Sequence, residues 1–148
     1  MKLQKKHLGV GAVALGAVLA FAVPAGAAVS LQSESNGSAA VKIAQNAQLK
    51  AKGAVTIVTL NLTCPVGNHF WASTDVSQTV SPSATTHGSG ALYNQSCTGT
   101  TQKVKVTAAA SPAPFIPGVA YATAHVEVYG NTNATLDTGR VIVNVDNG

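Results

Sequence analysis

The residue pattern predicts an all-β fold, an antiparallel immunoglobulin-like sandwich of about seven strands held by one disulfide. Three observations carry that prediction. Short segments with an apolar residue at every second position recur from residue 39 onward, separated by Gly, Pro, Asn and Ser turn signals, and no 3.6-residue period appears among them. Thr, Ser, Val, Ala, Asn and Gly dominate while charged residues make up only 9% of the chain, so the long helix-forming side chains are scarce. The two cysteines, Cys64 and Cys97, follow an export-type leader and are expected to pair as a structural bridge.

Residues 1–27 read as a secretory signal peptide: Lys2, Lys5 and Lys6 precede an apolar run over 8–23 and an Ala25-Gly26-Ala27 cleavage region. A retained membrane anchor is the alternative reading of the same run. No cysteine stands directly after the cleavage region and no hydrophobic tail closes the sequence, so the product is expected to be secreted, extracellular and free of the membrane. Residues 28–38, rich in Ser, Asn and Gly, form a flexible lead-in. Residues 39–148 are one β-sandwich domain, long enough to bury a core. Three of the nine Lys and Arg leave with the leader, so six basic residues face five acidic ones. That near balance gives no reason to expect nucleic acid or anionic lipid as a partner.

Within the domain, Val41 and Ile43 alternate with Lys42 as a first strand, and residues 46–53 are expected to turn the chain. Residues 54–64 form the organising strand, with Ala54, Val58, Leu60, Leu62 and Cys64 on one parity and Thr59, Asn61 and Thr63 on the other. Val55 and Ile57 break the alternation, through burial on both faces or through a bulge. Pro65 and Gly67 stop that strand. Residues 69–80 continue with Phe70, Ala72, Val76 and Val80 facing in, against His69, Trp71, Ser73, Asp75 and Ser77. Residues 81–90 read as a loop, and Ala91, Leu92 and Tyr93 as a short strand. Val104, Val106 and Ala108 then alternate with Lys103, Lys105 and Thr107. The three prolines of residues 111–118 exclude a central strand and mark a crossover between sheets. Ala120, Ala122, Ala124, Val126 and Val128 face in against Tyr121, Thr123, His125, Glu127 and Tyr129, and their small size implies close approach of the opposite layer. Residues 130–139 read as a polar loop before a last strand of Val141, Val143 and Val145.

The hydrophobic strand into Cys64, the segment Cys97-Thr98-Gly99-Thr100-Thr101-Gln102 and the segment Phe115-Ile116-Pro117-Gly118-Val119-Ala120 together resemble small secreted actinobacterial domains of unknown function. The shared features are a C-x-G-x-x-Q segment before one strand and an F-x-P-G-x-A segment before the next. The resemblance covers about residues 51–128 and implies an immunoglobulin-like fold without an activity to carry over.

Chemistry-bearing motifs are weak. Asp137-Thr138-Gly139 spells an aspartic-protease tripeptide, but only one copy exists and nine residues follow it, so a turn is the better reading. His69, His87 and His125 are far apart and lack metal-ligand spacing; no metal or cofactor is expected. No GxSxG elbow supports Ser-His-Asp chemistry. The chain is therefore expected to be no enzyme but an exported module that binds or packs at the cell surface, its partner another extracellular protein or a cell-wall component. A small-molecule carrier of chromoprotein type and a secreted hydrolase inhibitor are the alternatives. The candidate contact residues are Trp71, on the polar parity of its strand, and Phe115 and Ile116 in the proline-stiffened crossover. In the competing reading Trp71 covers one end of the sandwich and Phe115 plugs the crossover.

Overall fold

The computed structural model describes Ser33–Glu34 and residues 39–148, so the signal peptide expected over 1–27 and nearly all of the lead-in lie outside the described residues. The described part is all-β. Its strands are β1 (Ser33–Glu34), β2 (Ala40–Lys50), β3 (Val55–Thr63), β4 (His69–Ser81), β5 (Ala84–Ser96), β6 (Gln102–Ser111), β7 (Gly118–Tyr129), β8 (Ala134–Asp137) and β9 (Val141–Asp146). They hydrogen-bond in the order β1-β2-β3-β6-β5-β4-β7-β8.

The sequence pattern predicts two separate layers, whereas the observed sheet closes into a barrel of seven strands. Closure is the work of β9, which pairs antiparallel with β7, from Val145 opposite Gly118 to Val141 opposite Ala122, and parallel with β2 through Asn46, Ala47 and Gln48. A bulge in β2 between Ile43 and Ala47 bends that strand just where β9 joins it. Two seams of the barrel are short: β2 meets β9 over three residue pairs, and β5 meets β6 over three, His87–Ser89 against Ala109–Ser111.

The alternating parities hold on β3, β4, β6, β7 and β9. Val58, Leu60 and Leu62 of β3, Phe70, Ala72 and Val76 of β4, Val104, Val106 and Ala108 of β6, the even residues 120–128 of β7 and Val141, Val143 and Val145 of β9 all lie in the core. At the start of β3 the inward slot belongs to Thr56, whose hydroxyl donates to the Gln48 carbonyl at 3.3 Å. The register of β3 with β6 runs unbroken from Val55 to Leu62, so no bulge is involved, and Val55 and Ile57 are partly buried on the outer face. Ala54 is exposed and belongs to the turn, not to the buried parity.

Three expected loops are corrected. The turn expected over 46–53 is mostly strand, and only Ala51–Gly53 reverses the chain, with Gly53 at φ +87° against the Phe115 carbonyl. The loop expected over 81–90 is the first half of β5, joined to β4 by a hairpin at Pro82-Ser83. Its inward positions, Thr86, Gly88 and Gly90, carry little apolar side chain because other groups take that space. A Cβ on Gly90 would stand 1.8 Å from the Thr107 carbonyl oxygen, and one on Gly88 would stand 2.8 Å from the Phe115 ring. The loop expected over 130–139 contains β8, a short strand with one buried anchor, Leu136.

Residues 112–117 cross from β6 to β7 over one end of the barrel. Phe115 is 2% exposed and plugs that end; its N–H donates to the Gly53 carbonyl at 2.8 Å. The buried Gln78 amide holds the segment from inside, accepting from the Ile116 N–H at 2.9 Å and donating to the Ile116 carbonyl at 2.8 Å. Thr86 donates to the Ala113 carbonyl. At the other end Cys64 and Cys97 are bonded, with their Cα atoms 5.4 Å apart. The segment after Cys97 is closed by Gln102, which accepts from the Thr98 N–H at 3.0 Å and donates to the Ser96 carbonyl at 3.3 Å.

Candidate functional site

Because the interior of the barrel is filled, the groups available for function stand on its outside. Among the sequence-predicted contact residues, Phe115 is interior and so offers no contact surface, Ile116 is 41% exposed beside the barrel end, and Trp71 is partly buried on the outer face of β4. The crossover therefore contributes a plug rather than a protruding aromatic. Trp71 gathers a constellation of its own.

The pairing of β4 with β7 sets Trp71 opposite Glu127, and Ser73 opposite His125; the pairing of β7 with β8 sets His125 opposite Asp137. The Trp71 indole N–H donates to Glu127 Oε2 at 2.8 Å. His125 Nδ1 lies 2.6 Å from Asp137 Oδ1, and its Nε2 lies 3.4 Å from Glu127 Oε1. The His125 ring packs against Trp71 with centroids 5.1 Å apart. A carboxylate only accepts, so only the imidazolium satisfies both contacts by donating from both nitrogens. The Asp137 hydrogen bond accordingly holds the His125 pKa above its ordinary value, with Glu127 adding to it against partial burial. Glu127 is held below the ordinary carboxylate value, first by the indole N–H and then by His125.

On the other side of Trp71 stands Tyr93, 71% exposed, its ring stacked on the indole with centroids 6.2 Å apart and planes 23° from parallel. A bulge makes that meeting possible. Phe70 pairs with Gln95 and Ala72 with Leu92, so the two residues Tyr93 and Asn94 face the single Trp71 across the ladder. Asn94 takes up the extra length at φ +52°, a backbone region uncommon for residues other than glycine. Its side-chain oxygen accepts from the Tyr129 hydroxyl at 3.2 Å, and Tyr129 in turn stacks on His69. The result is a strip of rings along the disulfide end of the outer face, fixed from behind by a charged hydrogen-bonded row.

The same face continues toward the plugged end. Asp75, Ser77, His87, Tyr121, Thr123 and Arg140 line a cleft of about 240 Å³, and the Arg140 guanidinium sits 5.0 Å above the Tyr121 ring. The three histidines of the domain are thus spread along one face: His69 on Tyr129, His125 between carboxylates and His87 in the cleft. Asp137-Thr138-Gly139 places its carboxylate on His125. Its Thr138 is buried, accepting from the Ala124 N–H at 2.9 Å through Oγ1 and so finishing the β7–β8 ladder. The sequence singles out Trp71 but not its neighbours Tyr93, Asn94, Glu127 and Asp137, nor Arg140 in the cleft. The outward parity of His125 and Glu127 was visible; the non-local pairing that sets them beside Trp71 was not.

Comparison of the chain with protein-family models, with curated proteins and with solved structures gives no match.

Proposed function

We propose that the protein is a non-enzymatic, secreted extracellular binding module, similar to the small secreted actinobacterial domains named above, that meets its partner through the outer face of β5, β4, β7 and β8. One observation carries the reading: Trp71, which the core does not use, is held in a fixed orientation by Glu127, His125 and Tyr93. Rigid aromatic side chains with polar neighbours recur as recognition anchors because they bury a large area at little conformational cost. The immunoglobulin-like relationship is part of this proposal. The two short seams, β5–β6 and β2–β9, divide the barrel into a β2-β3-β6 half and a β5-β4-β7-β9 half, as two facing layers would be divided.

The interior filled by Phe70, Leu60, Leu62 and Leu136 favours a surface role over the carrier alternative, and the Gln78 hydrogen bonds favour a structural role for the crossover over an inhibitory loop. The test is retention of purified protein on cell-wall and culture-supernatant material. Wild type is expected to be retained, and Trp71→Ala combined with Tyr93→Ala to be released while it remains folded. Equal retention of the double variant would refute the assignment of this face.

A further inference from the structure

We infer that the ligand of this face is an uncharged polysaccharide strand lying along β4 and β7; the inference rests on the binding reading and names its substrate class. Aromatic rings stand at both ends of the strip. Trp71 and Tyr93 form one station, and Tyr121, beneath Arg140, forms the other. Tyr121 is the cross-strand partner of Ser77, six positions along β4 from Trp71, which separates the stations by about 20 Å. Between them the outward positions of β4 and β5 are small, Ser73 being paired with Ala91 and Asp75 with Ser89; on β7 Thr123 lies beside Asp75, and beside Ser73 the His125 ring is drawn onto Trp71. An extended chain can lie on that low floor while its ends rest on the rings.

Charge balance selects the kind of chain. At the ring station two solvent-accessible carboxylates, Glu127 and Asp137, share one imidazole, His125, so the station carries a small net negative charge. The cleft adds one carboxylate, Asp75, and one guanidinium, Arg140, neither with an ion-pair partner among the described residues. A carboxylate accepts and a guanidinium donates, which serves neighbouring hydroxyl groups, while three carboxylates against His125 and Arg140 on the whole face repel a polyanion. Sugar rings offer what such a face takes: an apolar C–H side for the aromatic rings and a rim of hydroxyls for Asp75, Ser77, Arg140 and His87.

The experiment uses affinity electrophoresis through gels holding a soluble β-glucan, α-glucan, mannan or galactan, with polygalacturonate as the charged comparison. Calorimetric titration with oligosaccharides of the retarding type follows. At least one neutral polysaccharide is expected to retard the protein and polygalacturonate is not. Affinity is expected to rise with oligosaccharide length until the chain spans both stations. Trp71→Ala and Arg140→Ala are each expected to weaken binding by roughly tenfold. Tyr93→Ala, at a highly exposed position, is expected to do so without touching the fold. Failure of all four neutral polysaccharides, or binding indifferent to Tyr93 and Arg140, overturns the inference. Cell-wall material stripped with protease separates it from its parent reading. Retention that survives stripping supports a polysaccharide; retention that disappears assigns the face to a protein, overturning the inference while the binding reading stands.

Discussion

His125 links two carboxylates that lie on different strands, and its protonation state decides how firmly they are linked. Its pKa is raised in the folded chain, so its contribution to stability is fully present below about pH 6.5 and is lost as pH rises through the raised folded value. Glu127 has the opposite sign. Its pKa is lowered, so its contribution is present above about pH 4.5 and is lost as pH falls through the lowered value. Both are in place together between those limits. The groups are solvent-accessible, so the effect on global stability is expected to be small and the local effect to be the readable one. In an NMR titration the His125 imidazole is expected to titrate above an ordinary histidine, and Trp71 fluorescence to follow the same curve because the rings are 5.1 Å apart. Asp137→Asn should bring the titration back toward the ordinary value; an unmoved curve would contradict the assigned cause.

At the scale of the element, β5 shows why some strands are legible in a sequence and others are not. Strands β3, β4, β6, β7 and β9 bury apolar side chains on alternate positions, and that period is written in the residues. On the first half of β5 the core space is taken by the Phe115 ring and the backbone of β6, so its inward residues are Gly88 and Gly90, which leave no hydrophobic trace. Likewise β8 has a single buried anchor in Leu136, too little for a period. The candidate site was half legible: Trp71 stood out by its wrong parity, but its partners depend on β4 lying beside β7 and on the bulge at Asn94, neither a local property. Placing a methyl at Gly90 tests this account. Gly90→Ala is expected to cost about 2–4 kcal/mol, read as a large fall in melting temperature, because the backbone of β6 has to move. On β6 itself Val106→Asp is expected to prevent folding, while Lys105→Glu on the outward parity is expected to leave expression and melting unchanged. The reverse pattern in yield would refute the parities.

For the whole molecule, the disulfide and the plug hold opposite ends of one weak seam. The β5–β6 ladder exists at the Phe115 end, over His87–Ser89, and toward the other end the two strands part. There Cys64 and Cys97 take over, with Gly99 donating to the Cys64 carbonyl at 3.1 Å and Gln102 reaching the Ser96 carbonyl. For a bridge spanning 33 residues, loop entropy gives about 3–4 kcal/mol. Cys64→Ser and Cys97→Ser are expected to lower the melting temperature equally and strongly. A native protein with titratable free thiol, or two unequal variants, would refute the assigned role. The other weak seam has a different implication. Strand β9 follows the other described strands along the chain, and it alone joins β2 to β7. Without β9, β2 keeps an unfilled edge and the ring stays open, so a chain lacking that strand is a curled sheet with two edges left to capture a substitute.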